Sequence, residues 1–259
     1  MNKKKYLVCL FIILIPFSGY CRDPINIVTD SAYWYPYTYS EDNQAKGIHI
    51  DMVQKALANL NHTRNFHPRP WKRALDGMKN GEFDAVVSAS YKPERAGYLL
   101  FPDDAATCVK SMWRITQVEY VVITNPDESY TFEGDLNTIP QPVRAPLGYS
   151  IADTLRAAGV AVLEAPDIID CVIQLVSSKR GAFITPPENA MGLQLDDRFR
   201  GRLKIHLKPI ESKSYYMAFS KKNQTLLFEE IKAIWDEIAR LRENEPFMKS
   251  LFDKYQGKP

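Results

Sequence analysis

Aromatic side chains are concentrated directly after the first predicted strand. The segment Thr29–Tyr39 contains four tyrosines and one tryptophan, together with the carboxylate of Asp30. Aromatic faces in a cleft supply apolar area with few rotamers to freeze, and they attract cations. About half of these rings are expected only to cover the hydrophobic core. The others, with Asp30, indicate a binding site for a small solute.

A second group of polar side chains follows the third predicted strand. Ser88, Ser90 and Arg95 supply two hydroxyls and a guanidinium within a short stretch. The planar fork of an arginine matches a carboxylate and binds it through two parallel hydrogen bonds. An arginine taken alone is more often a surface residue, so this prediction depends on the neighbouring hydroxyls and free backbone amides. Together these groups predict an anion site.

Two further positions lie where ligands bind in α/β proteins, beyond the carboxyl ends of strands. Trp71 begins a predicted helix after the second strand and offers another ring. In the second half of the chain, Ser150–Asp153 fits a capping box, which predicts free backbone N–H groups at a helix N-terminus. Such a terminus attracts anions, although an ordinary capped helix has the same pattern.

The composition and charge of the chain exclude several classes of protein. Its 259 residues are 45% hydrophobic and 25% charged, which excludes a disordered or collagen-like protein. Lysine and arginine outnumber aspartate and glutamate by 33 to 31, and without Lys3–Lys5 the balance is 30 to 31. A near-neutral body lacks the electrostatic driving force for nucleic acid. The histidines and cysteines show no ligand spacing, so neither a metal nor a cofactor is predicted.

The first 21 residues have the pattern of an export signal. A lysine cluster precedes the apolar run Leu7–Ile15, which is too short to span a bilayer, and small residues follow. We therefore expect a secreted periplasmic protein cleaved after Cys21, with lipid modification of that cysteine as the alternative. In an oxidising compartment Cys108 and Cys171 either form a disulfide or remain two separate buried thiols.

Behind these motifs, short apolar strands alternate with amphipathic helices, which predicts an α/β fold with largely parallel sheets. Two such units in a chain of this length indicate two lobes. The first unit comprises Ile25–Val28, Ile48–Leu60, Arg64–His67, Trp71–Met78 and Asp84–Ala89. The second comprises a strand ending at Val143, then Ser150–Ala158, Val160–Leu163, Ile168–Val176 and Ala182–Thr185. Two C-terminal helices follow, Leu226–Leu241 and Pro246–Tyr255.

These segments, in this order, resemble the family 3 extracellular solute-binding proteins, the polar amino acid receptors of bacterial ABC importers. The resemblance implies an α/β, two-lobed periplasmic-binding-protein fold of type II, with two crossover hinge strands and a solute trapped as the lobes close. The implied lobes are residues 22–112 with 216–259, and residues 113–215. The matching motifs are Ile27–Tyr39, Lys46–Asp51, Trp71–Met78, Asn80–Ala85, Lys92–Arg95, Phe101–Pro102 and Tyr215–Lys221.

The resemblance also implies which residues contact the solute. Asp30 and either Tyr33 or Trp34 would line the first lobe, and Trp71 would stack on the solute. A carboxylate would be held by a polar set from both lobes, namely Ser88, Ser90, Arg95 and Ser150. The implied function is non-catalytic: a monomer captures a small polar, carboxylate-bearing solute, an amino acid or a related compound, and delivers it to an inner-membrane ABC permease.

An enzyme on the same scaffold is the alternative. It would resemble cyclohexadienyl dehydratase, which uses a carboxyl acid in the cleft. Glu188, Glu94 or Asp30 would then transfer the proton, provided that desolvation raises the pKa of that side chain. The sequence shows no paired carboxylates and no combination of nucleophile and base that would support this reading.

One departure from the family pattern concerns the solute. Amino acid receptors of this kind usually carry an aspartate after the strand that matches Ala182–Thr185, where it pairs with the ammonium group of the ligand. Pro186 stands at that position here, and Glu188 would substitute only if its loop turns inward. Burying an ammonium group without a countercharge is costly. The departure therefore argues against a standard α-amino acid and favours a carboxylate-bearing or aromatic solute.

Overall fold

A computed structural model describes residues 23–223 and 225–255 of the chain. The predicted export signal lies outside these residues. The described part folds into two lobes, each built on its own mixed sheet. No helix of the described part combines the length and the apolar character that crossing a membrane requires.

The first lobe begins with the predicted parallel β-α-β-α-β unit. Strand β1 pairs in parallel with β4 on one side and β5 on the other, while β2 and β3 form a small hairpin. The prediction is confirmed, and β4 and α2 each run two residues beyond it. In chain order the elements are β1 (Ile25–Asp30), β2 (Tyr39–Glu41), β3 (Gln44–Lys46), α1 (Ile48–Asn59), β4 (Arg64–Arg69), α2 (Trp71–Asn80), β5 (Ala85–Ser90), α3 (Pro93–Ala96), β6 (Leu99–Leu100) and β7 (Thr116–Glu119).

The second lobe has a sheet of five strands in which β9 lies parallel to β10 and β11, and β8 lies antiparallel to β11 and β12. The predicted strand Val160–Leu163 is found two residues later, as β10. The sequence analysis did not predict α6, whose apolar residues do not fall on one stripe. The elements are β8 (Val121–Thr124), β9 (Val143–Pro146), α4 (Ser150–Ala157), β10 (Val162–Ala165), α5 (Ile168–Ser178), β11 (Ala182–Thr185), α6 (Pro187–Leu195) and β12 (Lys204–His206).

The chain crosses between the lobes twice. It leaves the first sheet from β7 and enters β8 after a single residue, Tyr120, and it returns from β12 into β13 (Ser212–Ser220). Strands β7 and β13 pair antiparallel, and β13 then continues beside β5 in the first sheet. This pair of strands confirms the predicted two-lobed class with two crossovers. The exact lobe boundaries stay a prediction.

Two C-terminal helices, α7 (Phe228–Arg242) and α8 (Glu245–Tyr255), complete the first lobe. Their apolar stripe packs with α1 on one face of the first sheet, where Ile234 and Ile238 are fully buried. Burying a side chain of that size contributes about 1.5–3 kcal/mol. The Trp235 indole also donates to the Met217 carbonyl oxygen at 2.7 Å, which ties α7 to β13. Helix α7 therefore holds β13 against the rest of its sheet.

The two cysteines of the described residues are separate thiols. Cys108 is exposed in the long connection after β6, and Cys171 is buried in the second lobe. Burial raises the pKa of the Cys171 thiol to about 12. The sequence left two alternatives open, a disulfide or two separate buried thiols. The structure has two separate thiols, of which only Cys171 is buried.

Candidate functional site

A cavity of about 30 Å³ lies where the two lobes meet. A buried water needs about 10–15 Å³, so this closed arrangement has room for one or two waters. A larger solute therefore requires the lobes to separate and close again around it. The cavity is lined from both lobes and from the crossover strands by Asp30, Trp34, Thr38, Trp71, Ser88, Arg95, Val118, Tyr120, Tyr149, Ser150, Pro186, Asn189 and Tyr215.

Among the described residues that line the cavity, only Arg95 carries a positive charge. It lies in the short helix α3, just past the end of β5, and only 3% of its surface is exposed. Its guanidinium donates to Ser90 O, to Ser90 Oγ and, across the lobes, to Gly148 O, at 2.9–3.0 Å. Among the described residues it forms no ion pair with a carboxylate. A buried arginine whose partners are all neutral is well suited to bind an anion.

Asp30, at the carboxyl end of β1, is the only acidic residue in the described lining of the cavity. Its carboxylate accepts from the Ala32 backbone N–H at 3.0 Å and, across the lobes, from the Tyr149 hydroxyl at 3.0 Å. Desolvation raises the pKa of Asp30 to about 6, and these hydrogen bonds only partly offset that effect. The cavity therefore contains one carboxyl group that changes charge in mildly acidic solution.

Ser88 reaches the cavity from a backbone conformation that is rare for serine. Its φ angle is 65°, in the left-handed region, at a place where the register between β5 and β13 shifts. The Ser88 hydroxyl lies 2.9 Å from Nδ1 of His49, a buried histidine in the first turn of α1. The irregularity turns a side chain of a fully buried strand toward the solute space.

Aromatic rings form most of the apolar lining. Trp34 packs edge to face against Tyr215, and the hydroxyls of Tyr215 and Tyr120 lie 2.6 Å apart. The guanidinium of Arg95 lies 5.4 Å from the ring centre of Trp71, within the range of a cation–π contact. These rings surround the charged groups with apolar surface, which strengthens electrostatic contacts to a solute.

The second lobe contributes an uncharged wall. Pro186 and Asn189 line the cavity from the start of α6, and Ser150 lines it from the start of α4. The Asn189 amide nitrogen is buried and has no hydrogen-bond partner among the described residues. A buried donor without a partner costs free energy, so a solute acceptor at this place would recover it.

Several contacts across the cavity hold the lobes closed. The Trp71 indole donates to Gly148 O at 3.2 Å, beside the bond from Arg95 to the same oxygen. At the rim Lys92 pairs with Asp153. Gly148 has a φ of 79°, a turn conformation that glycine adopts without strain and that other residues rarely adopt. The second lobe thus presents a backbone carbonyl to two side chains of the first.

A family model for the bacterial extracellular solute-binding proteins, family 3, matches residues 25–258. The chain belongs to this family. A search of the curated proteins finds no match. Solved structures match this chain along most of its length at low sequence identity. The match shows that they share its two-lobed fold.

Three of these structures illustrate the likeness. A histidine kinase sensor domain similar to periplasmic binding proteins is 17% identical, with 91% of this chain and 97% of that chain covered and a TM-score of 0.73. An arginine 3rd transport system periplasmic binding protein from Legionella pneumophila is 19% identical, with 90% and 99% covered and a TM-score of 0.70. The ancestral amino acid-binding protein AncCDT-1, a precursor of cyclohexadienyl dehydratase, is 17% identical, with 90% and 94% covered and a TM-score of 0.67.

Six of the eight predicted site residues of this chain line the cavity: Asp30, Trp34, Trp71, Ser88, Arg95 and Ser150. Tyr33 does not line it, because its ring stacks on Tyr35 outside and 51% of its surface is exposed. Of the two alternatives in this loop, the structure places Trp34 at the cavity. Ser90 does not line it either, because its hydroxyl and carbonyl accept from Arg95 and hold that guanidinium in place.

The predicted capping box at Ser150 is wrong. Helix α4 begins at Ser150 itself, and the residue before it, Tyr149, is extended and makes no side-chain cap. Asp153 does not reach back to the helix start; it pairs with Lys92 of the first lobe instead. Ser150 therefore meets the cavity as a first-turn side chain.

Sequence reasoning missed six lining residues of the cavity. Five of them lie on the crossover strands or in the second lobe and belong to no local motif, whereas Thr38 lies in the aromatic segment after β1. Asn189 follows the position where Pro186 was noted, and a search of the helix after β11 would have found it. The missed residues are Thr38, Val118, Tyr120, Tyr149 and Tyr215, and with them Asn189 from α6.

Proposed function

We propose that this protein is a receptor that captures a small carboxylate-bearing solute between its lobes. The observation that carries the proposal is Arg95, a buried guanidinium that faces the cavity with neutral partners only. When the lobes separate, the bond to Gly148 O is lost, and a carboxylate can take that place through the bidentate geometry. Ser88 and Arg95 would hold the carboxylate from the first lobe, and Ser150 and Asn189 would contact the solute from the second.

The described lining residues of the second lobe are uncharged. They favour a solute that has no ammonium group, or one whose ammonium group does not contact this lobe. Pro186 faces the cavity where a charged partner would be needed. Glu188, the possible substitute, is not among the lining residues; burial raises its pKa, and it lies near Tyr37. Asp30 in the first lobe is the only acidic group that the described residues bring to the cavity. We propose an aromatic or aliphatic carboxylate as the solute class.

Matched compounds test this class. Isothermal titration would compare L-glutamate with glutarate, which lacks the amino group, and with 4-aminobutyrate, which lacks the α-carboxylate. The second set is L-phenylalanine, 3-phenylpropionate and phenethylamine. We expect binding to survive loss of the amino group and to be lost from phenethylamine, which has no carboxylate. Binding of the amine alone, or of none of the carboxylates, would contradict the proposal.

We further propose that the protein works in the periplasm as a monomer and passes its solute to an inner-membrane ABC permease. Membership of an extracellular family supports export, and the predicted signal at residues 1–21 supplies a route. Osmotic-shock fractionation and size-exclusion chromatography test location and oligomeric state. Uptake of radiolabelled 3-phenylpropionate or glutarate in cells with and without the gene tests delivery, with equal uptake as the contradicting result.

A dehydratase activity is the second candidate function, and one observation favours it. Asp30 is a cavity carboxyl whose pKa is raised to about 6 by desolvation, which suits a general acid near neutral pH. Incubation of the purified protein with prephenate or arogenate, followed by NMR detection of the aromatic product, tests this function. Turnover that disappears in Asp30→Asn would establish the enzyme; no product from either compound would reject it.

A further inference from the structure

Ser88 is held in a conformation that its own backbone disfavours. Between the pairs Val86–Ala218 and Ala89–Tyr216, strand β5 has two residues where β13 has one, and Ser88 takes a φ of 65° there. A non-glycine residue in this region is strained, because its Cβ lies too close to the following carbonyl oxygen. Such a conformation persists only where the surroundings determine it, and it re-aims the side chain.

His49 is the neighbour that contacts the Ser88 hydroxyl. Its Nδ1 lies 2.9 Å from Ser88 Oγ and 3.2 Å from Thr38 Oγ1, both of which belong to cavity-lining residues. Only 1% of the histidine is exposed, and the ring packs against Trp34 at 5.3 Å between ring centres. Its other nitrogen, Nε2, has no hydrogen-bond partner among the described residues.

These contacts select one tautomer of the ring. Burial lowers the pKa of His49 to about 3, so the ring is neutral and carries one N–H. A proton on Nε2 would leave a buried N–H donor without a hydrogen-bond acceptor, which is rare in folded proteins. A proton on Nδ1 meets the two hydroxyl oxygens instead and leaves only an unused acceptor on Nε2.

We propose that His49 is a positioning residue whose Nδ1–H donates to Ser88 Oγ, so that the Ser88 hydroxyl hydrogen points into the cavity as a donor to an acceptor oxygen of the solute. The inference rests on the proposed function, because it assigns a role within the same site. It makes Ser88 an oriented donor in the same cavity as the Arg95 guanidinium, and an ammonium group at Ser88 would meet a donor rather than an acceptor. His49 thereby contributes to selection without touching the solute.

The tautomer can be measured without any solute. Long-range ¹H–¹⁵N correlation spectra of the ¹⁵N-labelled protein show which ring nitrogen of each histidine is protonated, and the spectrum of His49→Asn assigns the His49 signals. His206 is an internal reference, because its Nδ1 accepts from the Phe132 backbone N–H and its proton must lie on Nε2. We expect His49 to show the reverse pattern. The same pattern as His206 would overturn the proposal.

Affinity for glutarate and 3-phenylpropionate tests the action through Ser88. His49→Leu should weaken binding about tenfold or more, as much as Ser88→Ala, and the double variant should bind no more weakly than Ser88→Ala alone. His49→Asn, which keeps a donor at the Nδ1 position, should recover most of the loss. His206→Leu is the matched control: it removes another buried imidazole, lowers the melting temperature and leaves the affinity unchanged.

Two further outcomes separate the explanations. Additive losses in the double variant, or no rescue by His49→Asn, would show a merely structural histidine and overturn the proposal. If the wild-type protein binds no carboxylate of the matched sets, the proposed function fails, while the NMR measurement still decides which nitrogen of His49 carries the proton.

Discussion

Each lobe buries one arginine within the described residues, and the two arginines differ in what surrounds them. Arg144 of the second lobe donates through its terminal nitrogens to Arg180 O and Ser178 Oγ, both at 2.9 Å. These groups lie at the C-terminal end of α5, where the helix dipole favours a cation. All its partners belong to its own lobe. The charge of Arg144 is therefore stabilised whether the lobes are open or closed.

Arg95 of the first lobe has one of its partners in the other lobe. Its bond to Gly148 O exists only while the lobes are closed, and its guanidinium lines the cavity. The buried histidines differ as well: Nδ1 of His49 contacts the hydroxyls of two lining residues, Ser88 and Thr38, whereas the partners of His206 are not among the lining residues. The comparison teaches that burial of a charged or polar side chain does not indicate function by itself. What indicates it is that the side chain lines the cavity or contacts groups that line it.

The arginine pair gives the largest expected effects. Arg95→Ala should weaken binding of glutarate or 3-phenylpropionate by about 1.5–3 kcal/mol, roughly ten- to a hundredfold, because a charge-assisted contact is lost. Arg144→Ala should lower stability by about 2–4 kcal/mol and leave the affinity unchanged, because it removes packing and hydrogen bonds of residues that do not line the cavity. Titration calorimetry and thermal unfolding of both variants check this. Equal affinity losses in the two variants would break the comparison.

The charge of Asp30 gives the next effect. Its pKa is raised from 3.8 to about 6 in the folded protein, so the folded state binds the proton more tightly than the unfolded state. The free energy of unfolding therefore falls as the pH rises from about 4 through the folded-state pKa and is constant in this respect above about 7. Asp30→Asn lacks that loss. Tyr149 and Asp167 are the titratable groups that act on Asp30, and both remain in the variant.

The measurement is the difference in melting temperature between Asp30→Asn and the wild type. It should be near zero at pH 4 and rise by a few degrees at pH 7, since about 1–3 kcal/mol is at stake and Asp30 keeps part of its surface accessible. Taking the difference cancels the titration of other groups. A difference that does not change with pH would show that the carboxyl of Asp30 is not desolvated in the folded protein.

Much of the first-lobe wall could be predicted from the sequence, for a physical reason. In a parallel unit the residues after each strand meet at one sheet edge, so Asp30, Trp71 and Arg95 follow from the strand pattern and their own chemistry. The β-α-β-α-β unit itself follows from apolar periodicity. The bulge at Ser88 does not follow, because it depends on the register against β13, more than a hundred residues away.

The remaining walls depend on contacts that no local pattern encodes. Tyr120 and Tyr215 meet hydroxyl to hydroxyl although 95 residues separate them, because β7 and β13 pair at the crossover. Tyr149 meets Asp30 across 119 residues only when the lobes close. The predicted cap at Ser150 is not found, because α4 begins at Ser150 itself, whereas the capping box requires the helix to begin at the residue after the serine.

A negative charge added to the second-lobe side of the cavity tests the comparison further. Pro186→Asp puts a carboxylate at the N-cap of α6, a position with extended ψ where aspartate is favoured, so we expect the variant to fold. It should raise the preference for L-phenylalanine over 3-phenylpropionate by about tenfold, because the ammonium group gains a countercharge. Pro186→Asn is the uncharged control, measured by the same titrations. An unchanged preference in the aspartate variant would mean that this position does not meet the amino group.

The smallest expected effect separates stability from binding at Ser88. Because its φ is positive, Ser88→Gly should be more stable than Ser88→Ala by about 1 kcal/mol, or 2–4 °C in melting temperature. Both variants lose the hydroxyl, so both should bind glutarate equally weakly. At Ser90, whose φ is not positive, the order of stability should reverse, because glycine weakens an ordinary strand position. If the glycine and alanine variants show the same order of stability at Ser88 and at Ser90, the backbone is not specially strained at Ser88, the serine that lines the cavity.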